Sequence, residues 1–296
     1  MKTSNHLLRR LTAALLAAVL ALSIALPVFA SDDGDTIYIN SVSDLLSLAK
    51  SCAYDQWSVG KTVILQKDLS LEGMLWEPIP SFSGQFKGSG HTISDLTITG
   101  QYSPAGLFGI VEEQGSIESL SVRGVVSVSD SADTTTGGIV GINHGTLINC
   151  QFTGVVTGDS EVGGIVGRNE SEGTIDHSTA RAIVTGKSST GGIAGYNLGA
   201  ITGCTNVGSI NTEYQEASLD TDGFTAKMVD QINNKIAAAD DDATNSVTNV
   251  ATDTGGIAGR SSGMILTSVN TGTVGYEHIG YNVIFNFFPD IDRHSS

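Results

Sequence analysis

From Phe82 to Gly100 the chain reads FSGQFKGSGHTISDLTITG, and in its second half Ile93, Leu96 and Ile98 stand among Thr92, Thr97 and Thr99. Apolar and threonine positions mixed in this way suit a pleated strand with one buried face. Gly84, Gly88 and Gly90 crowd the first half, but neither G-x-G-x-x-G nor G-x-x-x-x-G-K-[ST] can be laid over them, so the stretch reads as strand and corner and not as a phosphate cradle. Glycines at such corners are expected to supply positive φ.

The pattern recurs. Gly106-Leu-Phe-Gly109 is followed by GGIVG from Gly137, GGIVG from Gly163, GGIAG from Gly191 and GGIAG from Gly255. The spacing is roughly 26 to 32 residues apart from one long interval, the range of repeat architectures. Downstream of each signature a glycine returns as Gly115, Gly145, Gly173, Gly199 and Gly263. Two positions on stands an aliphatic residue, Ile117, Leu147, Ile175, Ile201 and Ile265. Small residues follow at Gly124, Gly154, Ala182, Gly208 and Gly272, then Val126, Val156, Val184, Ile210 and Val274. A unit this short cannot bury its own apolar face. Stacked units supply one another's missing side, with parallel strands about 4.8 Å apart. The expected fold is all-β: a right-handed parallel β-helix, the hand following from the general preference of parallel crossovers.

Four segments depart from the repeat. Residues 1–30 place Lys2, Arg9 and Arg10 before the apolar run LTAALLAAVLALSIALPVFA, the pattern of a cleavable secretory signal peptide. Residues 31–80 hold IYINSVSDLLSLAKSC and KTVILQKDLSLEG, an N-terminal α/β module of a strand, a capped helix and a further strand. Repeats occupy 81–283, interrupted at about 212–253, where Phe224, Met228, Ile232 and Ile236 recur every four residues; this spacing predicts an amphipathic helix. That helix either lies on the solenoid's own flank, the commoner arrangement, or offers its apolar face to a partner, which makes these four residues the candidate interaction site. Residues 284–296, IFNFFPDIDRHSS, lack the glycine corner expected next and read as a cap or as a truncated repeat array.

Composition narrows the partners. The chain carries 31 Asp and Glu against 15 Lys and Arg, a net charge of −16, and loss of the leader removes three cations more. Nucleic acid and anionic membrane surfaces are disfavoured, and no segment after the leader is long and apolar enough to span a bilayer. The three cysteines, Cys52, Cys150 and Cys204, are too few for a disulfide scaffold. In the aligned register Cys150, Ser178, Cys204 and Ser268 share a column. Cys150 and Cys204 are then two coils apart, beyond the roughly 7 Å that a disulfide tolerates between Cα atoms.

GLFG at 106–109, the GGI-[VA]-G variants and FSGQFKGSGHTISDL together resemble the GLUG-motif repeat proteins, a group of bacterial surface proteins. Similar repeats occur in the non-catalytic region of a family of bacterial immunoglobulin A peptidases. The resemblance covers most of Ile37 to Val283 and implies a β-helix exposed on a bacterial surface. It does not imply an enzyme, because a fold does not fix a function.

The residues themselves give no catalytic constellation. A zinc peptidase needs H-E-x-x-H, which is absent, and His91, His144 and His177 fall in no common column. Polysaccharide cleavage on a β-helix needs carboxylates or basic groups converging from neighbouring coils. The column of Asp176 instead holds Glu118, Ile148, Thr202 and Leu266, and Thr153 separates Arg123 from Arg181. The acidic run Asp240–Asp242 is the one faint suggestion of calcium; no metal, cofactor or catalytic residue is assigned. The expectation is a secreted, surface-displayed adhesive or structural spacer module, with host glycans or extracellular proteins as partners. The alternative is a glycan-active β-helix enzyme.

Overall fold

A computed structural model describes residues 35–54, 56–128, 134–212 and 252–275. The leader expected over 1–30, the tail at 284–296 and most of the insertion, including Phe224, Met228, Ile232 and Ile236, lie outside the described residues.

Every strand pairing among the described residues is parallel, and the strands form four sheets. The first has eight strands, beginning with Thr36–Ile39, Thr62–Leu65 and Gln85–Lys87 and continuing through Ser116–Glu118, Thr146–Ile148, Thr174–Asp176 and Ala200–Thr202 to Met264–Leu266. One coil starts in the third sheet at Val140–Asn143 and crosses the first at Thr146–Ile148. It then runs along the second at Gln151–Thr157 and turns through the short fourth at Val162–Gly163. The next coil begins at Val166–Asn169, directly beside Val140–Asn143. The protein is a β-solenoid, as the repeat register requires.

That register holds residue by residue. Leu147 pairs with Ile117 and Ile175, Ile175 with Ile201, and Ile201 with Ile265. In the second sheet Val156 lies between Val126 and Val184, and Ile210 follows Val184 and precedes Val274. The first column also extends backwards, to Phe86, Val63 and Ile37. The strands of residues 31–80 are thus the leading strands of the same sheet. Sequence periodicity could not show this, since those coils carry no GGI-x-G.

The helix of this segment, α1 (Val42–Ser51), starts where Ser41 takes an extended conformation and its hydroxyl accepts from the Asp44 backbone N–H. The Asp44 carboxylate in turn accepts from the N–H of Asn40, the residue before the cap, at 2.9 Å, a wider version of the capping box. The bond from Asn40 first, and then one from the Ser41 hydroxyl to the carboxylate, hold the Asp44 carboxyl below its ordinary pKa. Leu45 and Leu48 face inward and join the solenoid core.

The core is aromatic at the N-terminal end, where Phe86 meets Phe82 and Phe108 edge to face, Phe82 and Phe108 meet at a tilt, all at centroid distances of 5.4 to 6.3 Å, and Trp76 donates its indole N–H to the Leu107 carbonyl. It becomes aliphatic along the repeats. One interior column is polar: Asn143 Nδ2 donates to Asn169 Oδ1 and Asn169 Nδ2 to Asn197 Oδ1, each at 2.8 Å, and Asn197 Nδ2 donates to Ser261 Oγ. Each asparagine also bonds the backbone of the adjoining corner, as Asn143 Oδ1 does with Gly145 N–H. These fully buried amides are therefore satisfied along the column.

The GGI-x-G glycines depart from the expectation of positive φ. Gly90 has the expected positive φ, 80°, but Gly84 and Gly88 do not, and none of those in the four repeats has it, whereas Ser119, Asn149, His177 and Thr267 do, with φ between 45° and 53°. The physical reason is proximity. A β-carbon on Gly163 would lie 1.9 Å from the Val166 carbonyl oxygen, and one on Gly138 would lie 2.4 Å from the Phe152 ring. The motif glycines let backbones and core side chains approach closely, while polar residues tolerant of the left-handed region turn the first corner.

Candidate functional site

The corner between the first and second sheets is built two residues beyond the aliphatic column. Its successive occupants are Ser119, Asn149, His177, Gly203 and Thr267, all in the left-handed region. The chain must swing sharply there to send Ile117, Leu147 and Ile175 inward on one side and Val122, Phe152 and Ala180 inward on the other. The corner side chains consequently project outward, and the backbone ladder continues through them: Ser119 N–H donates to Ile148 O, Asn149 N–H to Asp176 O and His177 N–H to Thr202 O.

Along this edge lies a depression of about 120 Å3 whose lining includes Gly90, Ser119, Asn149, Gln151, His177 and Thr179. Asn149 Nδ2 donates to Ser119 Oγ at 3.3 Å and Gln151 Nε2 to Thr153 Oγ1 at 3.3 Å. Both amide oxygens are left without a partner among the described residues. His177 is held by a 2.8 Å contact from Nδ1 to Asp176 Oδ1. That contact keeps the ring beside the carboxylate. The ring lies against Gly203, where a β-carbon would meet Nε2, Cδ2 and Cε1 at 3.0, 3.1 and 3.2 Å. Three nearly equal distances mean that one face of the imidazole covers the glycine, and the side chain, 69% exposed, is otherwise open to solvent.

A second surface feature lies on the third sheet. The Tyr196 ring is sandwiched between the guanidinium groups of Arg168 and Arg260, each 5.2 Å from its centroid. Arg168 is further clamped by Glu161 at 2.9 Å and Glu170 at 2.6 Å. Burial works against its charge, and the two carboxylates outweigh burial, so its pKa is raised. Both faces of Tyr196 are occupied, which leaves the stack structural.

Glu118, Ile148, Asp176, Thr202 and Leu266 form one column, and Arg123, Thr153 and Arg181 another, as the aligned sequence required. His91 contacts Asp68 at 3.1 Å, far along the chain from His177 and its Asp176. Cys52, Cys150 and Cys204 are free and buried; Cys150 N–H bonds Ser178 Oγ and Cys204 N–H bonds Ser268 Oγ, which places all four in one column. Among the described residues no group of three or more His, Cys, Asp or Glu could hold a metal. No described helix is long and apolar enough to cross a membrane.

The corner groove was not singled out from the sequence, although a signal existed. The positions two beyond the aliphatic column are all Ser, Asn, His, Gly or Thr. That the His177 ring would lie over Gly203 could not be read without coordinates.

Comparison with known proteins agrees with this architecture. Residues 158–185 match the GLUG motif, and this stretch is one complete coil, from the corner before Val162–Gly163 to the end of Thr179–Thr185. Over 155 residues, 48% of the chain, it is 32% identical to halomucin of Haloquadratum walsbyi, of which it spans 2%. Over 137 residues, 33% of the chain, it is 28% identical to a candidate Gly-rich membrane protein of Evansella cellulosilytica, of which it spans 16%. The crystal structure of a candidate immunoglobulin A1 protease from Bacteroides ovatus superposes with a TM-score of 0.54 at 19% identity, covering 81% of this chain and 66% of that one. The chain carries the GLUG motif as a single coil of a β-solenoid, and it shares that fold with the Bacteroides protein.

Proposed function

We propose that this chain is a secreted, surface-displayed scaffold of a bacterium that acts as an adhesive or structural module. The observation that carries the reading is the contrast between inward and outward columns. Inward, Ile117, Leu147, Ile175 and Ile201 repeat one aliphatic type, whereas outward Glu118, Ile148, Asp176 and Thr202 change at every coil. Selection for packing alone explains the first column, and a surface free to vary on a rigid frame is where binding resides. The two relatives, one named as a mucin and one as a membrane protein, support an extracellular setting.

A glycan-cleaving enzyme would need an acid and a base within reach of one bond. The described outer charges are instead spread over different sheets, with Arg168 committed to Glu161 and Glu170. Fractionation of producing cells, and solid-phase binding of the purified chain to extracellular matrix proteins and immobilised glycans, test the proposal. Recovery at the cell surface with saturable binding is expected. Retention in the cytoplasm, or release of reducing ends or unsaturated products from acidic polysaccharides, would overturn it.

A further inference from the structure

We propose that the corner groove between the first and second sheets binds one neutral sugar residue of a glycan, its ring seated on the free face of His177 and its hydroxyls bonded to Asn149 and Gln151. The inference rests on the adhesive reading and names the ligand class and the residues that would serve it.

Three observations point to this chemistry. The first is a flat platform flanked on two sides: the Asp176 carboxylate lies 2.8 Å from Nδ1, and Gly203 gives the ring a surface to lie on. The corner residue of the following coil is the only one of the five to be glycine, and any β-carbon there would lift the imidazole. A histidine in the left-handed region is itself uncommon, and backbone strain of this kind is tolerated where the surroundings over-determine it. The second is the set of polar groups facing the platform. Asn149 and Gln151 each give up an amide proton to a neighbouring hydroxyl, and their carbonyl oxygens have no described partner. An amide oxygen beside a hydroxyl is an acceptor and donor pair, which matches adjacent hydroxyls on a sugar ring. The third is charge and size. No Lys or Arg lines the depression, and Asp176 stands behind the histidine, so a carboxylated or sulfated sugar would meet a negative neighbour and no cation. At about 120 Å3 the site is far below the roughly 300 Å3 that encloses a drug-sized ligand. It suits one ring lying across the corner, with the rest of the glycan running along the coils.

The groups facing this site divide cleanly for a test. Asn149 and His177 are exposed but left-handed, so Asn149→Gly and His177→Gly, which remove the side chains without the strain that alanine would meet at positive φ, should leave the melting curve and the β spectrum of the full chain close to those of the wild type. Thr185→Ala, exposed on the outer face of the second sheet, serves as a control. The wild-type protein is applied to an array carrying neutral, sialylated and sulfated glycans, and free galactose, mannose and N-acetylglucosamine are then titrated by ligand-observed NMR. Binding to neutral glycans is expected, reduced about tenfold or more by each groove variant, the loss of one well-placed polar contact, and unaffected in the control. Neutral-glycan binding that survives both variants would overturn the groove assignment while leaving the adhesive reading intact. Preference for sialylated or sulfated glycans would overturn the ligand class. Binding to matrix proteins with no glycan binding would overturn the inference entirely and move adhesion to another surface. A protein that binds neither fails both readings.

Discussion

Phe152 occupies the space that Gly138 leaves open: a β-carbon on Gly138 would come within 2.4 Å of the Phe152 ring and within 2.5 Å of the Gly164 carbonyl oxygen. The same opposition recurs one and two coils on, where Gly164 faces Ala180 and Gly192 faces Asn206. Gly138→Ala should therefore cost at least the roughly 1–3 kcal/mol of an overpacked core, and Phe152→Ala about 3–5 kcal/mol from the lost side chain and cavity. The double variant should not regain the stability of Phe152→Ala alone, because the clash with the Gly164 backbone remains. Urea unfolding of the three variants checks this, and recovery in the double variant would show that the ring is the sole obstacle.

The asparagine column makes a pH prediction. Asn169 accepts from Asn143 and donates to Asn197, and it is fully buried. In Asn169→Asp the new carboxyl can still accept from Asn143 but can donate to Asn197 only when protonated, and burial also disfavours its charge. Its folded pKa is thus raised above the unfolded value, so the native state binds the proton more tightly. Stability is present below the unfolded carboxylate pKa and lost as pH rises through the folded one. Thermal melts from pH 4 to 8 should show this variant losing stability relative to wild type as pH rises; an unchanged difference would mean that solvent reaches the ladder.

Among the described residues two buried hydroxyls lack partners. Thr136 and Thr190 Oγ1 are unbonded, and Val162 sits between them in the fourth sheet, paired with each. Introducing a hydroxyl into a core for a methyl group ordinarily destabilises. Val162→Thr should instead be neutral or stabilising by up to about 1 kcal/mol, since it gives a partner to a hydroxyl already desolvated. A loss above about 2 kcal/mol in chemical denaturation would exclude a bonded threonine column.

Burial raises the thiol of Cys150 to about 12 and those of Cys52 and Cys204 to about 11, from an ordinary value of 9.0. The thiolate is the nucleophile, so all three should resist alkylation at pH 8 until the chain unfolds. Because the folded pKa values are raised, stability held below pH 9 should decline as pH rises towards 11 to 12. Mass spectrometry of native, non-reduced protein should find three alkylation-resistant free thiols. A Cys150 to Cys204 disulfide would contradict their two-coil separation.

The ends of the insertion lie close together, since Asn211 Nδ2 donates to Thr254 Oγ1 at 2.9 Å. Removing residues 213–251 and joining the ends with a short Gly/Ser linker should leave the solenoid folded, because Ser209–Ile210 and Thr252–Gly255 keep their partners. A cooperative melt with a β spectrum is the expected result, and collapse would make Phe224, Met228, Ile232 and Ile236 part of the core. If the four residues form an interaction device, excision should also abolish partner binding without loss of fold.

Repetition made most of the fold legible. Ile117, Leu147, Ile175, Ile201 and Ile265 announce their own stacking because each does the same job in the same place, and periodicity records that directly. The leading strands at Thr36–Ile39 and Thr62–Leu65 were harder to place: their partners are fixed by backbone pairing, and an apolar residue in one aromatic coil need not resemble its counterpart in an aliphatic one. The role of the motif glycines was misjudged for a related reason. Positive φ is a local property that sequence can suggest, whereas the gap between Gly138 and Phe152 depends on residues a coil apart. The groove at His177 combines both difficulties, since its platform depends on a missing side chain in the next repeat.

The residue-for-residue register of the coils has a genetic consequence. Gain or loss of one whole repeat carries Leu147 onto the place of Ile117 or Ile175 and Asn169 onto that of Asn143 or Asn197, so every ladder is rebuilt from equivalent parts. Insertion or deletion of a single residue within a strand has no such remedy, because it turns inward positions outward. Length is therefore the property this architecture can alter most freely, and the outer columns can diversify with each added turn.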